Sequence, residues 1–313
     1  MKNKCATLAW ICLFALSIQA QTPIRTVGDH LTERFLEGTP LRLPLWPDGA
    51  PISNGIDYTT YQRDPDPARA EALKRLIEPD PEIFVYLPQS QTETAPTKAV
   101  VACAGGGYIS EMLHQEGMMW HDFFQAEGIA FILVGYRLPF GHHEVPASDV
   151  YQAIRIVQAH APEWNIDPTA IGVMGSSAGG HLASTVATHA PDSVRPAFQI
   201  LFYPVISLAT DMTTECKARK NLLGENPTDE LLELYCNYKQ VDNKTPRALI
   251  FVAGDDDVVT PLNSVFYYEA LLKAGIPASL HIYPTGGHGF GAHNSFRYHY
   301  EMIQEIKSWL RSF

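Results

Sequence analysis

The segment Gly175-Ser176-Ser177-Ala178-Gly179 carries the pattern with the clearest chemical meaning in this chain. An apolar run precedes it and a helix-like period follows it, which indicates a tight turn from a strand into a helix. Glycines at both ends remove Cβ atoms that would collide across such a turn. Ser177 is then exposed where free helix amides favour developing negative charge, whereas Ser176 is assigned no chemistry. The sequence predicts Ser177 as a nucleophile, and the alternative is a glycine-rich structural turn.

A serine hydroxyl needs a general base, and the chain offers twelve histidines from which to choose. His288 lies between glycines, after the last apolar run and before the last helix-like period. Those glycines let its loop reach back toward Ser177. This placement favours His288 over His281, His293 and His299.

The acid that orients the histidine is expected between the serine and the histidine in sequence. Asp255, Asp256 and Asp257 follow an apolar run at that place, and three adjacent side chains cannot all point at one imidazole. Asp256 fits a spacing counted back from Val259, and Asp257 fits one counted from Gly254. The other two carboxylates are expected to be solvated or to cap the next helix.

Three consecutive glycines, Gly105, Gly106 and Gly107, end an earlier apolar run. Acyl transfer needs amides aimed at an oxyanion, and a glycine backbone can approach that closely. We assign this oxyanion hole to the amides of Gly106, Gly107 and Ala178. A phosphate-binding loop is the alternative, but the Lys-Ser/Thr ending of a P-loop is absent.

Other histidines could suggest a metal. The run 142–144 reads His-His-Glu, but no second ligand group has matching spacing, so surface or hydrogen-bonding roles are expected. His181 is interpreted as a packing or supporting residue in the helix after the nucleophile. The expected chemistry requires neither a cofactor nor a metal.

Strand-like and helix-like segments, which would position these residues, alternate regularly along the chain. Strand-like apolar runs cover 83–87, 99–104, 130–134, 171–174, 198–202, 248–252 and 279–283. Helical periods cover 148–160, 178–189, 261–274 and 295–312. This alternation predicts an α/β fold with a mostly parallel central sheet and helices on both faces.

The segment 207–245 interrupts this alternation of strands and helices. We interpret it as a small cap insertion over the carboxyl end of the sheet. Residues 21–81 are rich in Pro and Gly, which predicts an irregular arm with one short helix near 67–77. The catalytic domain is expected over 82–313.

The first twenty residues have a positive start, an apolar stretch and a small residue at Ala20, which is typical of a secretory signal peptide. A retained N-terminal anchor is the alternative. The net charge of −11 argues against nucleic acid and anionic membranes as partners. Of the three cysteines beyond the leader, Cys103 lies in a strand-like run, so the plausible disulfide joins Cys216 to Cys236.

Six short motifs, some of which contain the candidate site residues, can be compared with known protein families. They are 44–51 (PLWPDGAP), 105–108 (GGGY), 135–139 (GYRLP), 172–183 (GVMGSSAGGHLA), 267–271 (YYEAL) and 281–290 (HIYPTGGHGF). Together they resemble bacterial acetylxylan and feruloyl esterases of the α/β-hydrolase superfamily, over nearly all of the chain beyond the leader. Ser176 departs from this family, which often has an aromatic residue there, and Asp257 stands where proline or asparagine is commoner.

The resemblance implies an α/β-hydrolase fold and a serine esterase with a triad of Ser177, Asp256 and His288. The leader-like first twenty residues predict a secreted or periplasmic protein. Alignment through Asn263-Ser264 favours Asp256 over Asp257. The implied substrate is an acetylated plant polysaccharide such as xylan or its oligosaccharides, with deferuloylation as the alternative. A serine peptidase and an inactive carbohydrate-binding relative rank below both.

Overall fold

A computed structural model describes residues 40–56, 81–88, 95–209 and 216–313. Its strands are β1 Leu41–Pro44, β2 Glu82–Tyr86, β3 Thr97–Cys103, β4 Ala130–Gly135, β5 Ile166–Ser176, β6 Phe198–Phe202, β7 Arg247–Ala253 and β8 Ala278–Tyr283. Its α-helices are α1 His121–Ala126, α2 Glu144–His160, α3 Ser177–His189, α4 Cys216–Leu223, α5 Asp229–Leu234, α6 Leu262–Lys273 and α7 His299–Leu310.

The strands form one eight-stranded sheet in the order β1-β2-β4-β3-β5-β6-β7-β8. β1 and β2 pair antiparallel, β2 and β4 also pair antiparallel, and the remaining pairs are parallel. The central strands read as continuous apolar runs because both of their faces are covered. All residues of β4 and β6 are buried, for example.

Successive residues of β3 point into two different cores, as the two-residue period of a strand requires. Val101 joins the cluster that contains buried residues of α2, α3 and α6. Val100 joins the other cluster, which contains Phe124 of α1 and Met302 of α7. Helices therefore cover both faces of a mostly parallel sheet, and the predicted fold class is confirmed.

The amino-terminal part of the described chain is more regular than the predicted irregular arm, because Leu41–Pro44 forms an antiparallel edge strand. Its side chains are only partly buried, and Arg42 pairs with Glu82 of the neighbouring strand. Such a short, half-exposed edge strand has no apolar run by which its sequence could reveal it. The helix expected near 67–77 and the leader expected over 1–20 lie outside the described residues.

The segment between β6 and β7 (residues 207–245, the insertion segment) holds α4, α5 and a short 3-10 turn at Asn237–Lys239. Cys236 is a buried free thiol that lies 3.3 Å from Ser207 Oγ, to which it donates. The predicted Cys216–Cys236 disulfide is therefore wrong for this structure, because Cys236 faces inward onto Ser207. Among the described residues, no helix has the length and apolar character needed to cross a membrane.

Candidate active site

Ser177 stands at the turn that joins β5 to α3, with a left-handed backbone φ of 54°. A Cβ on Gly175 would lie 2.1 Å from the carbonyl oxygen of Gly179, and a Cβ on Gly179 would lie 2.2 Å from that of Cys103. Only glycine fits at both positions. A non-glycine residue in the left-handed region costs on the order of 1–3 kcal/mol, so the packing around this turn imposes the conformation.

A continuous hydrogen-bonded chain links three of the residues singled out by sequence. His288 Nε2 lies 2.9 Å from Ser177 Oγ, and His288 Nδ1 lies 2.8 Å from Asp256 Oδ2. An ionised carboxylate accepts only, so the proton of the neutral imidazole belongs on Nδ1. The Nε2 lone pair then faces the hydroxyl of Ser177, which is the arrangement that general-base activation of a serine requires.

The three adjacent aspartates have three different environments. Asp256 is buried, and its Oδ1 accepts from the amides of Val258 and Val259 at 3.0 and 2.9 Å, which leaves Oδ2 for His288. Asp255 is exposed, and its Oδ1 accepts from the amides of Gly286 and Gly287.

Asp257 is also exposed and is not the aspartate that contacts the imidazole. The contacts of Asp255 with the amides of Gly286 and Gly287 fix the loop that carries His288. The sequence interpretation of Asp255 as solvated charge or helix cap missed this role. No side chain caps α6, whose N-cap is Pro261.

The glycine loop (residues 105–108) runs beside Ser177. A Cβ on Gly105 would lie 3.0 Å from that of Ser177, and Gly106, Gly107 and Tyr108 all have positive φ, at 132°, 63° and 57°. In the described part of the chain, the amides of Gly106 and Gly107 have no hydrogen-bond acceptor.

The third amide assigned to the oxyanion hole is that of Ala178. It lies in the first turn of α3, where a helix supplies no acceptor. The three amides are therefore available to a ligand at the site.

Two buried residues beneath the glycine loop carry no motif and were missed by the sequence interpretation. Glu116 accepts from the amide of Gly105 at 2.7 Å and from the hydroxyl of Tyr203 at 3.2 Å. Burial raises the pKa of the Glu116 carboxyl, and the amide of Gly105 opposes that rise. The ring of Tyr203 meets the imidazole of His288 edge-on, with centroids 4.7 Å apart. Only the folded structure brings these residues together.

His181 supports the glycine loop from the side of α3. Its Nδ1 lies 3.0 Å from the hydroxyl of Tyr108, and its Nε2 lies 3.0 Å from the carbonyl oxygen of Tyr235. Since a carbonyl can only accept, Nε2 carries the proton and Tyr108 donates to Nδ1. Burial lowers the pKa of His181 to about 4, which keeps the ring neutral for both bonds. This is the supporting role that its position in sequence predicts.

The described residues contain no group of three or more His, Cys, Asp or Glu side chains arranged to hold a metal. His143 of the 142–144 run instead lies 2.8 Å from the hydroxyl of Tyr235, through Nδ1. This is a hydrogen-bonding contact between the loop after β4 and the insertion segment.

The loop after β4 is held by a buried ion pair. Asp149 of α2 accepts from Arg137 Nη2 at 2.7 Å and from the indole Nε1 of Trp46 at 2.7 Å. Arg137 also donates to the carbonyl oxygen of Ile52, and Asn54 donates to that of Leu138. Trp46 of the 44–51 motif and Arg137 of the 135–139 motif therefore share the Asp149 carboxylate, which binds the amino-terminal segment to the loop after β4.

The chain is similar to several known proteins. A family model described as alpha/beta hydrolase fold matches residues 100–292. An acetylxylan esterase of Xylanibacter ruminicola is 40% identical over 234 residues, which cover 74% of this chain and 48% of that protein. An endo-1,4-beta-xylanase B of Butyrivibrio fibrisolvens is 31% identical over 68% of this chain and 35% of its own length. The chain thus spans about half or less of these two relatives.

Solved structures extend the similarity. The acetyl ester-xyloside bifunctional hydrolase of Caldicellulosiruptor lactoaceticus has a TM-score of 0.73 and 32% identity, covering 87% of this chain and 96% of that one. An esterase of Thermogutta terrifontis has a TM-score of 0.61 and 26% identity, covering 74% and 86%. The resemblance drawn from the sequence is confirmed, and the prediction of a carboxylic ester hydrolase agrees with these matches. By its sequence match and its sheet order alike, the chain belongs to the alpha/beta hydrolase fold family.

Proposed function

We propose that this protein is an exported serine carbohydrate esterase that removes O-acetyl groups from xylan or xylo-oligosaccharides. The observation that carries the proposal is the chain of contacts from Asp256 through His288 to Ser177 Oγ, at 2.8 and 2.9 Å. The proposed catalytic residues are Ser177, His288 and Asp256, and the oxyanion hole is formed by the amides of Gly106, Gly107 and Ala178.

The reaction begins when Ser177 Oγ attacks the ester carbonyl carbon and His288 Nε2 takes the hydroxyl proton. Asp256 holds the imidazole in the Nδ1–H tautomer and stabilises the imidazolium that forms. The carbonyl oxygen becomes an oxyanion that accepts from the free amides. His288 then donates its proton to the departing sugar oxygen, and an acetyl-enzyme remains on Ser177.

Water completes the cycle. His288 removes a proton from the water as it attacks the acyl carbon, a second oxyanion forms in the same hole, and acetate leaves as Ser177 regains its hydrogen. Apart from water, all catalytic groups in this scheme are supplied by the protein. Neither a cofactor nor a metal is needed.

The choice of substrate is supported by the names of the relatives, an acetylxylan esterase and an acetyl ester-xyloside hydrolase. A net charge of −11 suits a neutral polysaccharide ester better than an anionic partner. Export is supported by the leader-like composition of residues 1–20. The periplasm and the extracellular space both satisfy this proposal.

The decisive experiment identifies the acid released from acetylated xylo-oligosaccharides by the wild type and by Ser177→Ala. We expect acetate from the wild type and a loss of at least ~10³-fold in turnover for the variant. Feruloylated arabinoxylan is the parallel substrate, and preferential ferulate release would replace acetyl with feruloyl specificity. Near-normal turnover by Ser177→Ala, or failure of a fluorophosphonate to label the folded wild type, would contradict the mechanism.

A further inference from the structure

We propose that Asn221, in α4 of the insertion segment, is a positioning residue that holds the glycine loop in its oxyanion-binding conformation. The inference rests on the proposed function, because it concerns the same site. It gives the insertion segment a part in catalysis although it supplies none of the proposed catalytic residues.

The glycine loop has a conformation that needs outside support. Three consecutive residues, Gly106, Gly107 and Tyr108, have φ values between 57° and 132°. For Tyr108 this region is unfavourable, and such strain persists only where the surroundings over-determine the conformation. The amides that would bind the oxyanion belong to this same strained stretch, so its orientation decides whether they point at the reacting carbonyl.

The carbonyl groups of the loop show how that orientation is set. The carbonyl oxygen of Gly105 accepts from the amide of Met112, and that of Gly106 accepts from the amide of Ser110. Both donors belong to the segment that follows the loop. The carbonyl oxygen of Gly107 instead accepts from Asn221 Nδ2 at 2.8 Å, across 114 positions in sequence. The insertion segment thereby fixes the Gly107–Tyr108 peptide plane, which directly follows the two peptide planes that carry the Gly106 and Gly107 amides.

Asn221 is itself held in place. Its backbone carbonyl accepts from the amide of Gly141 at 2.8 Å, and the next residues in α4, Leu222 and Leu223, are buried in the core. Asn221 is partly buried, so its bond to Gly107 is partly shielded from water. A fixed donor of this kind can impose an orientation, whereas a solvated surface amide would follow the loop.

A second connection joins the insertion segment to the same loop. The carbonyl oxygen of Tyr235, which ends α5, accepts from His181, and His181 accepts from the hydroxyl of Tyr108. The glycine loop is thus tied to α4 through its backbone and to the end of α5 through a buried side chain. Asn221 is the contact that can be removed without disturbing the core.

The test compares Asn221→Asp and Asn221→Ala with Lys220→Ala. Lys220 lies next to Asn221 in the same helix, and its loss removes only an exposed ion pair with Glu225, which follows the helix. Asp has nearly the shape of Asn but cannot donate when ionised, and it repels the Gly107 carbonyl. We expect kcat on a small acetate ester, per active site titrated with a fluorophosphonate, to fall roughly 100-fold for Asn221→Asp and roughly 10-fold for Asn221→Ala. KM should stay within about twofold, and Lys220→Ala should match the wild type.

A second readout separates positioning from simple destabilisation. A trifluoromethyl ketone forms a hemiketal oxyanion with the serine, so its affinity should fall by the same factor as kcat. If kcat per titrated site stays within about twofold of wild type in both Asn221 variants, the inference is overturned while the proposed function stands. Absence of turnover and labelling in the wild type would overturn both.

Discussion

Asp149 and Asp256 are both aspartates with fully buried side chains, yet their partners differ in kind. Asp149 faces Arg137, a permanent cation with 6% of its side chain exposed, and also accepts from the indole of Trp46. Asp256 faces His288, a titratable ring with 16% of its side chain exposed, and the far nitrogen of that ring contacts Ser177.

The two buried aspartates serve different purposes in this protein. Around Asp149 every hydrogen-bond partner is fixed, and the Arg137 guanidinium neutralises the carboxylate charge permanently. The Asp149–Arg137 pair therefore binds the amino-terminal segment to the loop after β4. Around Asp256 two backbone amides hold one oxygen, and the other oxygen is left for a ring that can gain a proton. Burial alone therefore does not distinguish the proposed catalytic acid from a structural one.

Substituting Asp256→Asn should give the largest effect of any carboxylate change. The side chain keeps its shape, but an amide nitrogen facing Nδ1 favours the wrong imidazole tautomer. We expect turnover to fall about 10⁴-fold on a small acetate ester, with the melting temperature nearly unchanged. Steady-state kinetics and a thermal melt check both parts, and a loss below tenfold would remove Asp256 from the proposed triad.

Substituting Asp149→Asn should show the opposite profile. Arg137 would remain buried without its countercharge, which typically costs about 3–5 kcal/mol of stability. Urea unfolding measures the loss, and kcat per titrated active site measures chemistry. We expect the midpoint to drop sharply while kcat stays within a few-fold of wild type. A fall in kcat as large as that of Asp256→Asn would abolish the distinction between the two aspartates.

His181 extends the comparison of buried groups to pH. The pKa of His181 is lowered to about 4 by burial, from an ordinary value of 6.5. As pH falls from about 6.5 to 4, the unfolded chain binds a proton there before the folded one does, so stability is lost across that window. Relative to His181→Gln, the wild type should lose about 3 kcal/mol of unfolding free energy between pH 7 and pH 4.

Denaturant unfolding of the wild type and of His181→Gln at several pH values gives this difference directly, because the contributions of the other titrating groups cancel. A difference that stays constant with pH would show that His181 titrates in the folded protein as it does in the unfolded chain.

The smallest effect is expected for Asp257→Asn. This side chain is exposed and is not the carboxylate bound to His288. Turnover should stay within about twofold and the unfolding free energy within about 0.5 kcal/mol. A large loss of turnover with intact folding would reassign the acid to Asp257.

Much of the fold was predictable because its central strands are long apolar runs. The apolar run at 198–202 predicts a strand, and this segment is β6 in the structure. The helical period predicts the start of α2 at 148, whereas the helix begins at Glu144. The difference arises because the first turn holds Pro146 and begins with a polar residue. The strand Leu41–Pro44 was missed because an edge strand needs only one partner and little burial.

The candidate site can be predicted from sequence where the local backbone conformation admits only certain residue types. Glycines around Ser177 and His288 mark positions where a Cβ or a negative φ does not fit, and those constraints are visible in sequence. Glu116, Tyr203 and Asn221 satisfy no such local demand. They serve the site only because separate segments meet at the carboxyl ends of the strands, so their positions follow from tertiary packing.

The close contact between Gly179 and the end of β3 also has a consequence for the order of folding. The turn at Ser177 is shaped against the carbonyl oxygens of Cys103 and Ala104, which belong to a distant part of the sequence. It cannot close until β3 and β5 have paired, and such non-local pairing is the slow part of forming a parallel sheet. A partly folded chain therefore contains Ser177 without the turn geometry that the proposed mechanism needs, and this geometry arises together with the central sheet.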